Sequence, residues 1–176
     1  MNCLSWNCRV LRNSRAVRRL KDLIRRESPN FIFLMQIRLY PHEMEAVKVK
    51  LNFSNCLYVN PVGRAGGLAM LCKDELNAIV KSYFCNHIDM IIGDEGSMDS
   101  SRLTGIYGQP ETHRRGETWT LICMLHEQMN KQWVCLGDFN EILQLTKKML
   151  GWYEGWMTDG PLSVRPIGEW ADGHDM

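Results

Sequence analysis

An acid and an amide stand two residues apart in Leu136-Gly137-Asp138-Phe139-Asn140-Glu141, directly after Trp133-Val134-Cys135. The apolar run reads as a buried strand, and on extended backbone Asp138 and Asn140 point to the same side. Burying such groups unpaired costs on the order of a few kcal/mol. Three other apolar runs end in a similar way: Trp6 leads into Asn7, Met35 into Gln36, and Ile106 into Tyr107 and Gly108. Active sites in α/β folds are commonly assembled at strand ends. Carboxylates hold hard cations such as Mg²⁺, while amides and a phenol donate hydrogen bonds to phosphoryl oxygens. If the four ends converge at one edge of a sheet, the set suits phosphate-ester chemistry. A plainer reading makes the hexapeptide a polar turn with Asp138 as a helix cap, and the hexapeptide alone does not separate the two.

The elements that must carry these residues follow from periodicity. Residues 3–6 form a short strand. A helix capped by Asn13 or Ser14 runs to about Arg26, with Val17, Leu20, Leu23 and Ile24 at three- and four-residue spacing. Ser28-Pro29-Asn30 stops it, and residues 31–35 are a continuous apolar strand. This β-α-β order predicts parallel pairing of the two strands. A weaker helix spans 42–51. Strands follow at 56–59 and 67–72 around a turn-rich loop, then at 77–86, 88–92 and 103–107. Residues 115–129 are helical, and 133–136 close the series. Strands with interspersed helices predict α/β or α+β layers.

The chain has 176 residues, enough for one domain with a real core or for part of a larger one. A formal net charge of +1 gives no global field. The first thirty residues are basic, however: Arg9, Arg12, Arg15, Arg18, Arg19, Lys21, Arg25 and Arg26 face only Asp22 and Glu27. Such a patch can hold phosphates, although it reads first as the solvated face of an amphipathic helix. The start lacks a signal-peptide pattern, and no run is long enough to span a membrane. The seven cysteines include no C-x-x-C and read as reduced core thiols. Cys85-Asn86-His87 could pair at a metal, but nothing nearby completes a site. These features predict an intracellular protein of the nucleus or cytoplasm, neither secreted nor in a membrane.

Taken in order, several segments resemble the endonuclease/exonuclease/phosphatase superfamily, and within it the endonuclease domain of plant LINE-type (non-LTR) retrotransposon polyproteins. They are Leu4-Ser5-Trp6-Asn7-Cys8-Arg9, Phe33-Leu34-Met35, Gly66-Gly67-Leu68-Ala69, Arg102-Leu103-Thr104-Gly105-Ile106-Tyr107-Gly108, Pro110-Glu111-Thr112-His113-Arg114-Arg115 and Leu136-Gly137-Asp138-Phe139-Asn140-Glu141-Ile142-Leu143. Each is weak alone; the ordered set is specific. The resemblance implies a four-layer α/β sandwich and Mg²⁺-dependent cleavage of a phosphodiester (Mn²⁺ being an alternative metal). In this branch the reaction nicks DNA to prime reverse transcription. By position, Asn7 would contact metal or phosphate, and Tyr107 the scissile phosphate. Asp138 would orient or deprotonate the attacking water, and Asn140 would support the transition state. Gln36 falls where the family carries its metal-binding glutamate.

The chain also departs from that family. Gln36 is neutral, so a hard cation loses a charged ligand and affinity falls steeply. Val10 and Arg12 stand where the family has glycines, which predicts strain or displacement at Asn7. The family ends in a segment bearing Asp and His, whereas this chain leaves the pattern near Gly151. The last 26 residues hold five glycines, Pro161, Pro166 and three tryptophans. Asp172-Gly173-His174-Asp175 has the right residue types, but too few elements precede it. The expectation is a C-terminally incomplete sandwich over residues 1–150 and a divergent, loop-rich tail over 151–176. Three functions compete: an active Mg²⁺-dependent nuclease, a truncated catalytically dead remnant with residual DNA affinity, and an interaction module without nucleic acid. The departures favour the remnant.

Overall fold

The computed structural model describes residues 1–9, 11–61, 66–74 and 76–140, and the predicted alternation of strands and helices is present there. β1 (Cys3–Asn7) leads to α1 (Ser14–Glu27) and back to β2 (Phe31–Met35). Asn13 caps α1: its side chain accepts the Arg15 N–H at 2.9 Å, satisfying a donor that the helix cannot. Leu20 is buried and Val17, Leu23 and Ile24 pack beside it. Arg15, Arg18, Arg19, Lys21, Arg25 and Arg26 are all exposed, so most of the basic cluster is the solvent face of this helix. Ser28 ends the helix in the left-handed region (φ 45°), with Pro29 behind it.

α2 (Pro41–Leu51) begins one residue before the predicted start, because Pro41 is pre-set for a first helical turn. β3 (Asn55–Val59) and β4 (Leu68–Cys72) follow, then β5 (Ala78–Phe84) and β6 (His87–Ile92). The predicted 77–86 strand stops at Phe84, since Cys85 and Asn86 make the turn into β6. β7 (Ser101–Tyr107), a 3₁₀ turn (Thr112–Arg114), α3 (Arg115–Glu127) and β8 (Gln132–Asp138) complete the described elements. α3 falls short of residue 129, its last turn closing when the Gln128 N–H bonds the Leu125 carbonyl. β8 outlasts its apolar core and carries Asp138 as its final residue.

The strands form two four-stranded sheets, in orders β1-β2-β4-β3 and β5-β6-β7-β8. β1 runs parallel to β2 as predicted, with Asn7 beside Met35. β7 runs parallel to β8, with Tyr107 beside Asp138. The other pairings are antiparallel. Phe31, Phe33, Met35, Leu68 and Met70 of the first sheet pack against Ile88, Met90, Leu103 and Leu136 of the second. On the first sheet's outer face, Leu4, Ile32, Leu34, Ala69 and Leu71 pack against Leu20 of α1 and Met44, Val47 and Leu51 of α2. α3 covers the other outer face, where its Leu125 carbonyl accepts from the Arg102 side chain. The architecture is a four-layer α/β sandwich, with helix, two sheets and helix in order. Gly105 lets the sheets close up, since a Cβ there would lie 2.4 Å from the Phe33 ring.

All seven cysteines are free thiols: Cys72 is buried in the core, Cys3, Cys8 and Cys56 are partly buried against it, and Cys123 is exposed. Among the described residues, no helix is long and apolar enough to cross a membrane. The predicted tail over 151–176, including Asp172 and His174, lies outside the described residues, as do Val10, Glu141, Ile142 and Leu143.

Candidate functional site

Two parallel strand pairs, one per sheet, point their C-terminal ends the same way and bring the four polar strand ends together. From β1, the Asn7 amide donates to the Asp138 carboxylate at the end of β8, 2.9 Å away. From the turn after β2, the Gln36 amide donates to the Tyr107 hydroxyl at the end of β7. Each bond joins one sheet to the other. Neighbouring strands lie about 5 Å apart, so the adjacent pairs Asn7–Met35 and Tyr107–Asp138 hold both bonds in one small cluster. All five predicted residues, Asn7, Gln36, Tyr107, Asp138 and Asn140, are half-buried.

Asn140 reaches the cluster by a route other than strand alternation. It has φ 53°, so the chain turns immediately after β8, and extended geometry does not apply to the Asp138–Asn140 pair. Its backbone N–H donates to Asp138 Oδ1 at 3.0 Å, and its side-chain amide donates to the Gly108 carbonyl at 2.6 Å. Asp138 therefore does form the polar turn of the plainer reading, with one oxygen, while the other faces Asn7. The turn and the cluster use the same carboxylate.

Sequence reasoning missed the backbone devices. Gly137 has φ 147°, and a Cβ there would lie 1.8 Å from the Ile106 carbonyl oxygen. A Cβ on Gly108 would meet the Phe139 carbonyl oxygen at 2.3 Å, and the Gly108 N–H donates to the Asp138 carbonyl at 2.7 Å. The signal for both was their position beside the motif residues. Arg9 turns the chain after β1 in the left-handed region (φ 50°), and its N–H donates to Asn7 Oδ1 at 3.3 Å. Arg12, one of the positions where glycine was expected, points its guanidinium to Glu43. Asn7 is bonded to Asp138 with Arg12 turned toward Glu43, and Val10, the other of those positions, lies outside the described residues.

The electrostatics are spare. Cys8 follows Asn7 and its thiol donates to the Met35 carbonyl at 3.0 Å. Burial pushes this thiol up to about 12, so at neutral pH it is a neutral donor and not a nucleophile. Among the described residues, Asp138 is the one carboxylate of the cluster. A hard divalent cation takes six or more oxygens, with carboxylates carrying the compensating charge. Here both Asp138 oxygens already accept hydrogen bonds, and Asn7 and Gln36 offer only neutral amides. Among the described residues, no three His, Cys, Asp or Glu side chains gather as a metal-holding group. These donors do not fit a tight Mg²⁺ site. Chemically, the cluster can accept a proton at Asp138 and donate hydrogen bonds to an anionic oxygen from Tyr107 and the amides.

Comparison with known proteins agrees with the architecture. The fold is similar to that of a functionally unknown conserved protein from Enterococcus faecalis V583, with TM-score 0.61 and 16% identity over 80% of this chain and 67% of that one. It is similar to the endonuclease domain of TRAS1, a telomere-specific non-LTR retrotransposon, with TM-score 0.60 and 16% identity over 81% and 61%. A humanized D. rerio TDP2 gives TM-score 0.57 and 14% identity over 81% and 67%. At these identities the likeness is one of fold, and the chain spans about two thirds of the length of the three structures. No curated protein sequence matches the chain. The model of the Endonuclease/Exonuclease/phosphatase family matches residues 4–168, and with the sandwich it describes in place, the chain belongs to that family.

Proposed function

We propose that this chain is a phosphodiesterase or DNA endonuclease domain derived from a retrotransposon, and that its own catalytic centre is degenerate. Enzymes of the family generally use divalent metals such as Mg²⁺. In this reading Asn7 and Gln36 are what remains of the metal ligands, and without the charge of a glutamate they hold Mg²⁺ weakly. Asp138 orients the attacking water and takes its proton. Tyr107 donates to an oxygen of the scissile phosphate, and Asn7 and Asn140 hold the carboxylate and the turn that position it. DNA is the partner, the location is intracellular (nucleus or cytoplasm), and residues 151–176 form a divergent tail on a domain of residues 1–150.

The observation that carries the reading is the Asn7–Asp138 hydrogen bond at 2.9 Å, which joins the ends of β1 and β8. An apolar edge would serve the fold equally well, so an acid and an amide held there suit phosphate handling. The neutral Gln36 favours a second reading beside it: a catalytically inactive remnant that retains nucleic-acid affinity or serves as an interaction module. A salt series separates nucleic-acid binding from an interaction role. Affinity of the chain for duplex DNA, followed by fluorescence anisotropy, is expected to fall steeply as salt rises, because phosphate contacts release counterions. No binding, or binding indifferent to salt, would leave only the interaction module.

A further inference from the structure

We propose that Tyr40 and His42, with Arg12 beside them, form a stacking platform for an unpaired nucleobase at the rim of the site. The inference rests on the reading of the site as a nucleic-acid phosphodiesterase centre. Tyr40 is 62% exposed. Its ring lies nearly parallel to the His42 imidazole, at 5° with centroids 5.9 Å apart. The Arg12 guanidinium carbon stands 5.6 Å from the Tyr40 centroid. Two aromatic side chains and a cation are thus exposed together at one surface.

The platform is exposed but held. The Tyr40 N–H donates to Glu43 Oε2 at 2.8 Å, which fixes Tyr40 as the residue entering α2. The same carboxylate oxygen pairs with Arg12 at 3.3 Å, and the two bonds together keep Glu43 below the usual carboxylate range. Behind the ring, Leu39 is buried and its carbonyl accepts from the Tyr58 hydroxyl. A ring carried on anchored backbone loses little freedom when a base stacks on it.

The platform also lies beside the chemistry. Tyr40 follows Gln36 by four residues, so their Cα atoms are within about 14 Å. Arg12 follows Asn7 by five, and the two loops are tied together where the Leu11 N–H donates to the Ile37 carbonyl at 3.1 Å. A strand whose phosphate lay in the site would carry a neighbouring base past this rim. Every base has a π-face, so such a platform is tolerant of sequence, and the arginine adds attraction to the π-face and the backbone. Bases inside a duplex are stacked on one another and cannot reach it. The ligand class is therefore single-stranded nucleic acid, or the unpaired end of an opened duplex.

The test uses the full chain in EDTA, with a short fluorescent single-stranded DNA and the duplex of the same sequence, read by anisotropy. Tyr40→Ala is expected to weaken single-strand binding about tenfold or more while changing duplex binding less than about twofold. Tyr40→Phe keeps the ring and is expected to bind as wild type. Tyr40→Ala binding the single strand as wild type does would overturn the platform, as would Tyr40→Phe losing as much as Tyr40→Ala. Circular dichroism confirms that the variants are folded. If wild type binds DNA and Tyr40→Ala changes nothing, only the platform fails. If wild type binds neither probe, the nucleic-acid reading of the site fails with it.

Discussion

Gln36 sits in the left-handed region (φ 55°) with its amide donating to the Tyr107 hydroxyl, in a place where a carboxylate would instead accept from that hydroxyl. The substitution removes a charge and also reverses the direction of a hydrogen bond. Gln36→Glu is expected to raise Mg²⁺ affinity about tenfold or more by isothermal titration calorimetry, since one more carboxylate faces the cation. Unchanged affinity would mean the cluster is not where metal binds. Asn140 makes a second residue-scale prediction. Asparagine tolerates φ 53° better than alanine does, and its amide holds the Gly108 carbonyl. Asn140→Ala should cost about 1–2 kcal/mol in urea unfolding, and Asn140→Gly, which keeps the backbone freedom, should cost less. The identities of Asp138 and Asn140 were legible in the sequence because an acid and an amide after an apolar run are conspicuous. The left-handed turn between strand and amide was not, because it is imposed by β8 pairing with β7 and by the close approach of Gly108 to Phe139.

At the scale of elements, the second sheet shows where hydrophobic pattern misleads. Its face toward α3 carries a buried polar network. Arg102 is 1% exposed and grips Asp89, 0% exposed, through two hydrogen bonds of 2.8 Å. Thr104 donates to the same carboxylate, and the Trp133 indole donates to Thr104 at 2.7 Å. The guanidinium carbon lies 4.9 Å from the Trp133 ring centroid. Removing one partner of such a pair leaves the other charge buried and alone. Arg102→Ala is expected to cost about 3–5 kcal/mol by denaturant unfolding, and Asp89→Leu with Arg102→Leu much less than the sum of the single changes. Additive losses would show that the two charges are not coupled. The strands themselves were legible from their apolar alternation and the helices from their caps, Asn13 above all. That a motif residue such as Arg102 serves the layer contact and lies outside the strand-end cluster was not, since a sequence places a charge on a strand without saying which face is covered.

Among the described residues, β1 and β8 each end their sheet as a strand paired in parallel, and the cluster forms where the two meet. No described strand pairs with the outer side of β1 or of β8. The order of the segments in the sequence carried the fold, since the same motifs shuffled would not place both parallel pairs with their ends together. Partial burial of thiols gives a global pH dependence. Burial raises Cys3 to about 11, and Cys8, Cys56 and Cys135 to about 12, from the value of 9.0. In the unfolded chain these thiols ionise near 9, while the folded chain keeps them protonated, so unfolding releases protons there. Stability should therefore be at its full value below about pH 9 and decline as pH rises toward about 12, seen as a falling urea midpoint. A midpoint independent of pH through that window would place these thiols in water. The proposed function makes the strand-end cluster a phosphodiesterase centre that persists in form with its metal chemistry weakened. Nicking of supercoiled plasmid DNA across a Mg²⁺ titration tests it most directly, with Asp138→Ala as the control. At most trace nicking by wild type is expected even at high Mg²⁺, close to that of Asp138→Ala. Robust Mg²⁺-dependent nicking that disappears in Asp138→Ala would contradict it.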